Sequence, residues 1–241
     1  MGIARGPNIV SDNLLLALDA ASSSSYPGSG STWFNLESRN ITPAILSNSP
    51  TFNSSGIKNI ETDGVDEEIF IPGGNSSNLN FGNTDNFSIE TWCNLQAMPG
   101  SGNSLGVVVK AYKCGIDILY LSGVDNMVFR CGVRNSVQSI ISQTNSNVAL
   151  NEWNNVVFTY EPSSSTGVKL YINGVLNTSG SNTTQDDFSN NSNYTVGGNE
   201  ATAGTPSFAN LQTAVVRMYG KTLSASEVKQ NYMALKNRFA L

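Results

Sequence analysis

The sequence contains no histidine at all. That absence removes the commonest general base, the Ser-His and Cys-His nucleophile systems, and the commonest ligand of catalytic zinc. Charge is also scarce, since Asp, Glu, Lys and Arg make up only 13% of the chain. Ser, Asn, Thr and Gly are plentiful instead, so amides and hydroxyls more than ions must wet the surface. The 13 Lys plus Arg are scattered and are outnumbered by 18 Asp plus Glu, for a net charge of −5. No basic stripe exists to follow a phosphate backbone, and nucleic acid is not expected as a partner. No window approaches the roughly eighteen apolar residues of a membrane-spanning helix. Residues 1–13 hold one Arg and no apolar segment leading to a cleavage site. Neither a membrane span nor export by a signal peptide is therefore expected.

Cysteine is limited to Cys93, Cys114 and Cys131, which lack the paired CxxC spacing of a zinc site. They are expected to be buried free thiols, and the odd count fits a chain assembled in a reducing cytosol. Asn-x-Ser/Thr triplets recur, as at Asn40, Asn86 and Asn177, but an Asn- and Ser-rich chain produces them by composition alone.

A length of 241 residues suits one large all-β domain. From Asn86 onward, short β-branched and aromatic runs are broken by Gly, Asn, Ser and Pro, the pattern of successive strands and turns. In Phe87–Leu95, the residues Phe87, Ile89, Thr91, Cys93 and Leu95 share the face predicted to enter the core. Trp153–Tyr160 repeats the device as a central strand. Val107–Lys110, Ile116–Ser122, Met127–Val133 and Val137–Ser142 read as shorter strands, with Val124-Asp125-Asn126 as a turn. Asn173-Gly174 sits between two apolar runs and predicts a two-residue type I′ hairpin. Leu14–Asp19 reads as a first strand, and the dozen residues before it as an arm that orders on contact with a partner. One segment is helical, Ser224–Arg238, with Ser224 and Glu227 as a capping box and Leu223 stapled to Val228. Its stripe of Val228, Tyr232, Leu235 and Phe239 is expected to close one end of the sandwich.

Five landmarks follow in a fixed order. They are Asp63-Gly64-Val65-Asp66 leading to Ile69-Phe70-Ile71-Pro72, then Phe87–Trp92, Trp153–Val156, Leu170–Gly174 and Val196-Gly197-Gly198. Over Asp63 to Tyr232 the chain resembles the laminin-G-like family of the concanavalin A-like lectin and glucanase superfamily. The resemblance implies an all-β fold, an antiparallel β-sandwich (jelly roll, concanavalin A-like) with one C-terminal helix. In that plan residues 1–20 form the arm and first strand, and residues 21–241 a single sandwich domain with helix 224–238. The ends, Leu14–Asp19, Tyr26–Trp33, Pro50–Asn53 and Asn231–Phe239, resemble laminin-G-like structural proteins of tailed bacteriophages, and depart from them at Glu37–Leu46 and Ile60–Thr62. That likeness implies a non-enzymatic virion protein, a capsid decoration or tail fibre component assembled in the host cytoplasm. Its partners would be other virion proteins, copies of itself as a homo-oligomer, and host cell-surface glycans. The alternative is a stand-alone carbohydrate-binding, lectin-like module; a glycoside hydrolase is the third reading.

Against hydrolysis, the glucanases of this superfamily align three acids at alternating positions of one strand. This chain has no such motif, and Glu67 and Glu68 would point to opposite faces. The resemblance implies Ca2+ at a sandwich edge, for which Asp63, Asp66 and Glu67 are the candidate ligands. Asp-Gly-Val-Asp is equally a tight turn whose side chains bond backbone amides. Asp186 and Asp187 lie in a polar loop, as cation or sugar contacts or as solvated acids. Sugar binding needs an exposed ring beside amides or carboxylates, and Tyr26, Trp33, Tyr112 and Tyr194, each next to a polar loop, are the candidate rings. Trp92 and Trp153 fall inside strand patterns and are expected to pack.

Overall fold

The computed structural model describes residues 7–37, 43–74, 77–98, 104–110, 114–121, 126–134, 139–144, 147–181, 187, 189–199 and 207–241. The early strands are β1 (Leu14–Asp19), β2 (Thr32–Trp33), β3 (Ala44–Ser47), β4 (Thr51–Asn53), β5 (Asn59–Asp63) and β6 (Glu68–Ile71). The middle ones are β7 (Phe87–Leu95), β8 (Ser104–Lys110), β9 (Cys114–Leu121), β10 (Asn126–Arg134), β11 (Ser139–Gln143) and β12 (Trp153–Tyr160). There follow β13 (Val168–Ile172), β14 (Val175–Gly180), β15 (Tyr194–Val196), β16 (Gly198–Asn199), β17 (Ser207–Phe208) and β18 (Asn210–Tyr219). The chain then forms helix α1 (Ala225–Leu235) and a 3-10 turn, Lys236–Phe239.

Sixteen of these strands pair antiparallel in two eight-stranded sheets, and β16 pairs antiparallel with β17 apart from them. The first runs β14-β13-β12-β7-β18-β5-β4, with β1 also on β18; the second runs β11-β10-β9-β8-β15-β6-β3-β2. Alternation decides what lies between them. Phe87, Ile89, Cys93 and Leu95 of β7 and Val156, Phe158 and Tyr160 of β12 meet Ile116 and Ile118 of β9 and Met127, Phe129, Cys131 and Val133 of β10 in one core. The expected all-β sandwich with a C-terminal helix is thus the observed fold. Asn173 and Gly174 take φ of 51° and 76°, as a type I′ turn requires, and join β13 to β14. The three thiols are free and buried. Burial alone pushes Cys93 up to about 12. Burial also raises Cys114, to about 11 against the opposing Tyr194 hydrogen bond and Lys110 charge, so neither is a thiolate at neutral pH.

The outer face of the first sheet is apolar too, because β7, β12 and β18 carry Trp92, Val157, Val215 and Tyr219 there. The helix covers it. Ser224 caps α1, its hydroxyl accepting the Glu227 N–H while Glu227 accepts the Ser224 N–H. The Trp92 ring stacks 3.9 Å from Phe239 and 5.8 Å from Tyr232, centroid to centroid. The predicted stripe therefore lies across a sheet face and not over an end of the sandwich. The physical reason is that a strand apolar on both sides needs cover on both. The arm is corrected likewise: Val10 is buried against this helix, and Gln230 donates to the Asn8 carbonyl at 2.7 Å. That part of the arm is ordered by the chain itself.

Beneath the helix lies one charged group that water does not reach. Glu90, fully buried, accepts from Asn155 at 3.1 Å, Arg217 at 3.3 Å and Asn231 at 2.8 Å. Asn231, on α1, also donates to the Tyr219 hydroxyl and accepts the Val10 N–H. A buried carboxylate is tolerated only when paired and hydrogen-bonded, and here the pairing ties β7, β12, β18, α1 and the N-terminal segment together.

Candidate functional site

Along β9 and β10 the inward positions are apolar; the outward ones include Gly115, Asp117 and Arg130 with Gly132, and the apolar Leu119, Leu121 and Val128, of which Val128 is buried. Register sets Arg130 opposite Asp117, and Asp117 opposite Gly106 of β8. Arg130 Nε donates to Asp117 Oδ1 at 2.8 Å and its Nη2 to both Asp117 Oδ2 and Ser104 Oγ. Ser104 Oγ donates in turn to Asp117 Oδ2. Three neighbouring strands thus present a planar guanidinium, a carboxylate and a hydroxyl in one row, with Arg130 and Asp117 side chains 17% and 19% exposed.

The surroundings are low. Gly115 pairs with Gly132 in the next row, so no side chain rises there from either strand. A side chain on Gly106 would collide with the Gly198 carbonyl, because the β16–β17 hairpin crosses β8 at that point. Ser207 Oγ of the hairpin donates to the Ser104 carbonyl at 3.0 Å, fixing it over the end of the row. Fork-shaped Arg-carboxylate pairs hold fixed directions, so the donors and acceptors here are preorganised.

The ring candidates were expected to be exposed, and three of them are corrected. Trp33 is fully buried, its indole N–H making no hydrogen bond among the described residues. Tyr26 is buried with its ring 4.9 Å from Phe52, and its hydroxyl donates to the Gly30 carbonyl; desolvation raises its pKa. Tyr194 is fully buried and donates to the Leu79 carbonyl at 3.1 Å; desolvation, with the nearby Cys114, raises it far above the usual phenol value. Polar neighbours in sequence did not mean a polar environment, because each ring turns into the sandwich. Tyr112 and Asp186 lie outside the described residues. Asp187 is exposed and accepts from Ser189 N–H and hydroxyl.

The acidic turn is held by its own hydrogen bonds. Gly64 has φ +80°, and Asp63 Oδ1 accepts the N–H groups of Val65 and Asp66 at 2.8 and 3.4 Å. Glu67 Oε2 accepts the Asp63 N–H at 3.0 Å. Desolvation raises Glu67, and the charges of Asp63, Asp66 and Glu61 add to this against the opposing Asp63 backbone bond. Among the described residues no three His, Cys, Asp or Glu side chains converge on one point. Calcium needs about six to eight oxygens around it. Asp63, Asp66 and Glu67 do not fit that ion; the turn accounts for them.

Sequence reasoning missed Ser104, Asp117 and Arg130. The available signal was a charged residue amid the apolar alternation of each of two strands, Asp117 in β9 and Arg130 in β10; what joined them was register, which pairs residues 13 apart.

A family model described as the concanavalin A-like lectin/glucanases superfamily, Laminin_G_3, matches residues 63–229, more than half of the chain. No curated protein sequence matches. Among solved structures, Trypanosoma rangeli sialidase in complex with sialic acid superposes with TM-score 0.70 at 16% identity, over 97% of this chain and 35% of that one. The binding domain of Paraclostridial Mosquitocidal Protein 1 gives 0.67 at 18% identity, over 91% of this chain and 52% of that one. The binding domain of botulinum neurotoxin DC, in complex with rat synaptotagmin II, gives 0.67 at 13%, over 92% and 52%. The chain spans about a third of the sialidase and about half of each toxin domain, and at these identities the likeness is one of fold. The extended match and the sandwich agree, and the chain belongs to the Laminin_G_3 family of the concanavalin A-like lectin/glucanases superfamily.

Proposed function

We propose that this protein is a non-catalytic recognition domain whose Ser104–Asp117–Arg130 row binds a neutral glycan. The observation that carries the reading is the row itself: a preorganised, partly exposed guanidinium, carboxylate and hydroxyl, on the sheet that the helix does not cover. Sugar hydroxyls donate to Asp117 and to the free lone pair of Ser104 and accept from Arg130. Arg130 is already neutralised by Asp117 and the chain carries −5, so a polyanionic or sialylated ligand gains little. Two structural neighbours, a sialidase holding sialic acid and a toxin binding domain holding a synaptotagmin, use chains of this kind in proteins that engage a sugar or a receptor. Absence of histidine and of the glucanase acid motif supports a domain that binds without hydrolysing.

The resemblance of the chain ends to tailed-phage proteins supports the finer reading, a capsid decoration or tail fibre component that presents this face to host glycans. Binding is tested on a glycan array with the unaltered chain and Arg130→Ala. Retention on neutral glycans that the variant loses is expected; equal retention by both overturns the assignment. Release of reducing sugar from any retained glycan would refute the non-catalytic reading. Virion display is tested by mass spectrometry of gradient-purified particles from cells expressing the chain. Its peptides belong in the particle band, and their confinement to the soluble fraction would remove the virion role.

A further inference from the structure

Lys110 ends β8 with its side chain inside the sandwich and is fully buried. A lone ammonium in such a place is costly, and desolvation lowers its pKa, although Cys114 and Asp187 pull it upward. Its register neighbours are Cys114 on β9 and Tyr194 on β15, both buried, with the Tyr194 ring centroid 5.6 Å from Nζ. Nζ touches one carboxamide, donating to Asn80 Oδ1 at 2.5 Å. The same oxygen accepts the backbone N–H of Asn190 at 3.2 Å. When Nζ turns from this oxygen to the adjacent carbon, the Asn190 N–H stays on Oδ1, and a fixed backbone N–H stabilises the oxyanion of an addition step. A buried amine held against an activated carboxamide has the entropy of encounter already removed.

We infer that Lys110 and Asn80 join after folding in an intramolecular isopeptide bond. The Lys110 amine, having given its ammonium proton to solvent, attacks Asn80 Cγ; the new C–N bond forms as the carbonyl electrons move onto Oδ1, held by the Asn190 N–H. One proton passes from Nζ to Nδ2. The carbonyl re-forms as the Cγ–Nδ2 bond breaks, and ammonia leaves. No electrons change hands and no co-reactant is consumed. The product replaces a buried amine with an amide and fastens the Asn80 loop to β8, sealing that end of the sandwich against forced opening.

Intact-mass spectrometry of the purified, denatured full chain tests this. The expected mass is one ammonia below the sequence mass, and proteolysis should yield a branched peptide joining the segments around Asn80 and Lys110. Lys110→Arg and Asn80→Ala should each restore the full mass. The branched peptide is sought in the unaltered chain, so the test survives a variant that fails to fold. Full mass in a chain whose circular dichroism shows folded β-sheet would overturn the inference and leave Lys110 as a hydrogen-bonded buried amine. Ammonia loss that persists in Lys110→Arg, as a succinimide at Asn173-Gly174 would give, would overturn it as well.

Discussion

The outer faces of the two sheets have opposite designs. On the first, Trp92, Val157, Val215 and Tyr219 lie under α1, the C-terminal turn and the N-terminal segment, around the Glu90 group. On the second, the corresponding surface carries glycines and a partly exposed ion pair. Charge appears on both faces, but in different environments. Glu90 and Arg217 are sealed, with side chains 0% and 5% exposed, whereas Asp117 and Arg130 keep contact with water. A sealed pair holds the fold together at high stakes, because each partner is ruinous alone; a wetted pair contributes little to stability and remains available to a ligand. The lesson is that burial, and not the presence of a salt bridge, separates structural from functional charge in this sandwich.

The sharpest test of that contrast is Glu90→Ala. It strands the Arg217 guanidinium and removes the acceptor of Asn155 and Asn231, and removing one partner of a buried pair costs about 3–5 kcal/mol. Urea unfolding should show the midpoint falling accordingly; a loss below about 1 kcal/mol would mean that this group behaves like a surface pair. Next comes Phe239→Ala, which empties the space beside Trp92 and Trp153. Removal of a buried aromatic side chain costs about 3 kcal/mol or more, and Trp fluorescence should report the exposure of Trp92 in the native state. Ser224→Ala, which removes only the cap of α1, should cost about 1 kcal/mol on the same urea scale, since the packed stripe remains.

The first face was largely legible in the sequence and the second was not. Leu14–Asp19, Phe87–Leu95 and Trp153–Tyr160 form strands with the expected bounds, because period-two alternation and stop residues are local signals. The capping box at Ser224 was legible for the same reason. β8 begins at Ser104, earlier than the expected Val107, because Gly106 and a register shift between Gly106 and Val108 interrupt the alternation. The candidate rings failed on long-range grounds. Tyr26, Trp33 and Tyr194 adjoin polar stretches, but the strands and turns around them aim each ring inward, where distant residues such as Phe52 and Leu79 receive it. Asp117 and Arg130 read singly as ordinary solvated charges; only pairing of β9 with β10 sets them side by side and brings Ser104 of β8 to them.

The smallest expected change in stability belongs to Arg130→Ala, and its smallness is the point. Asp117, left without the guanidinium, still reaches water and keeps the Ser104 hydroxyl as a donor, so no buried charge is stranded. Pairs of this exposure are screened by solvent, and the urea midpoint should move by no more than about 1 kcal/mol. Glycan retention should nevertheless vanish, because the donors that fix ligand orientation are gone. A variant that loses several times that stability would show the second sheet's face to be as structural as the first, and would shift the search for a binding surface to the loops. A variant that keeps both stability and the separation between the two faces, while losing only the ligand, makes the wetted pair the functional counterpart of the sealed one.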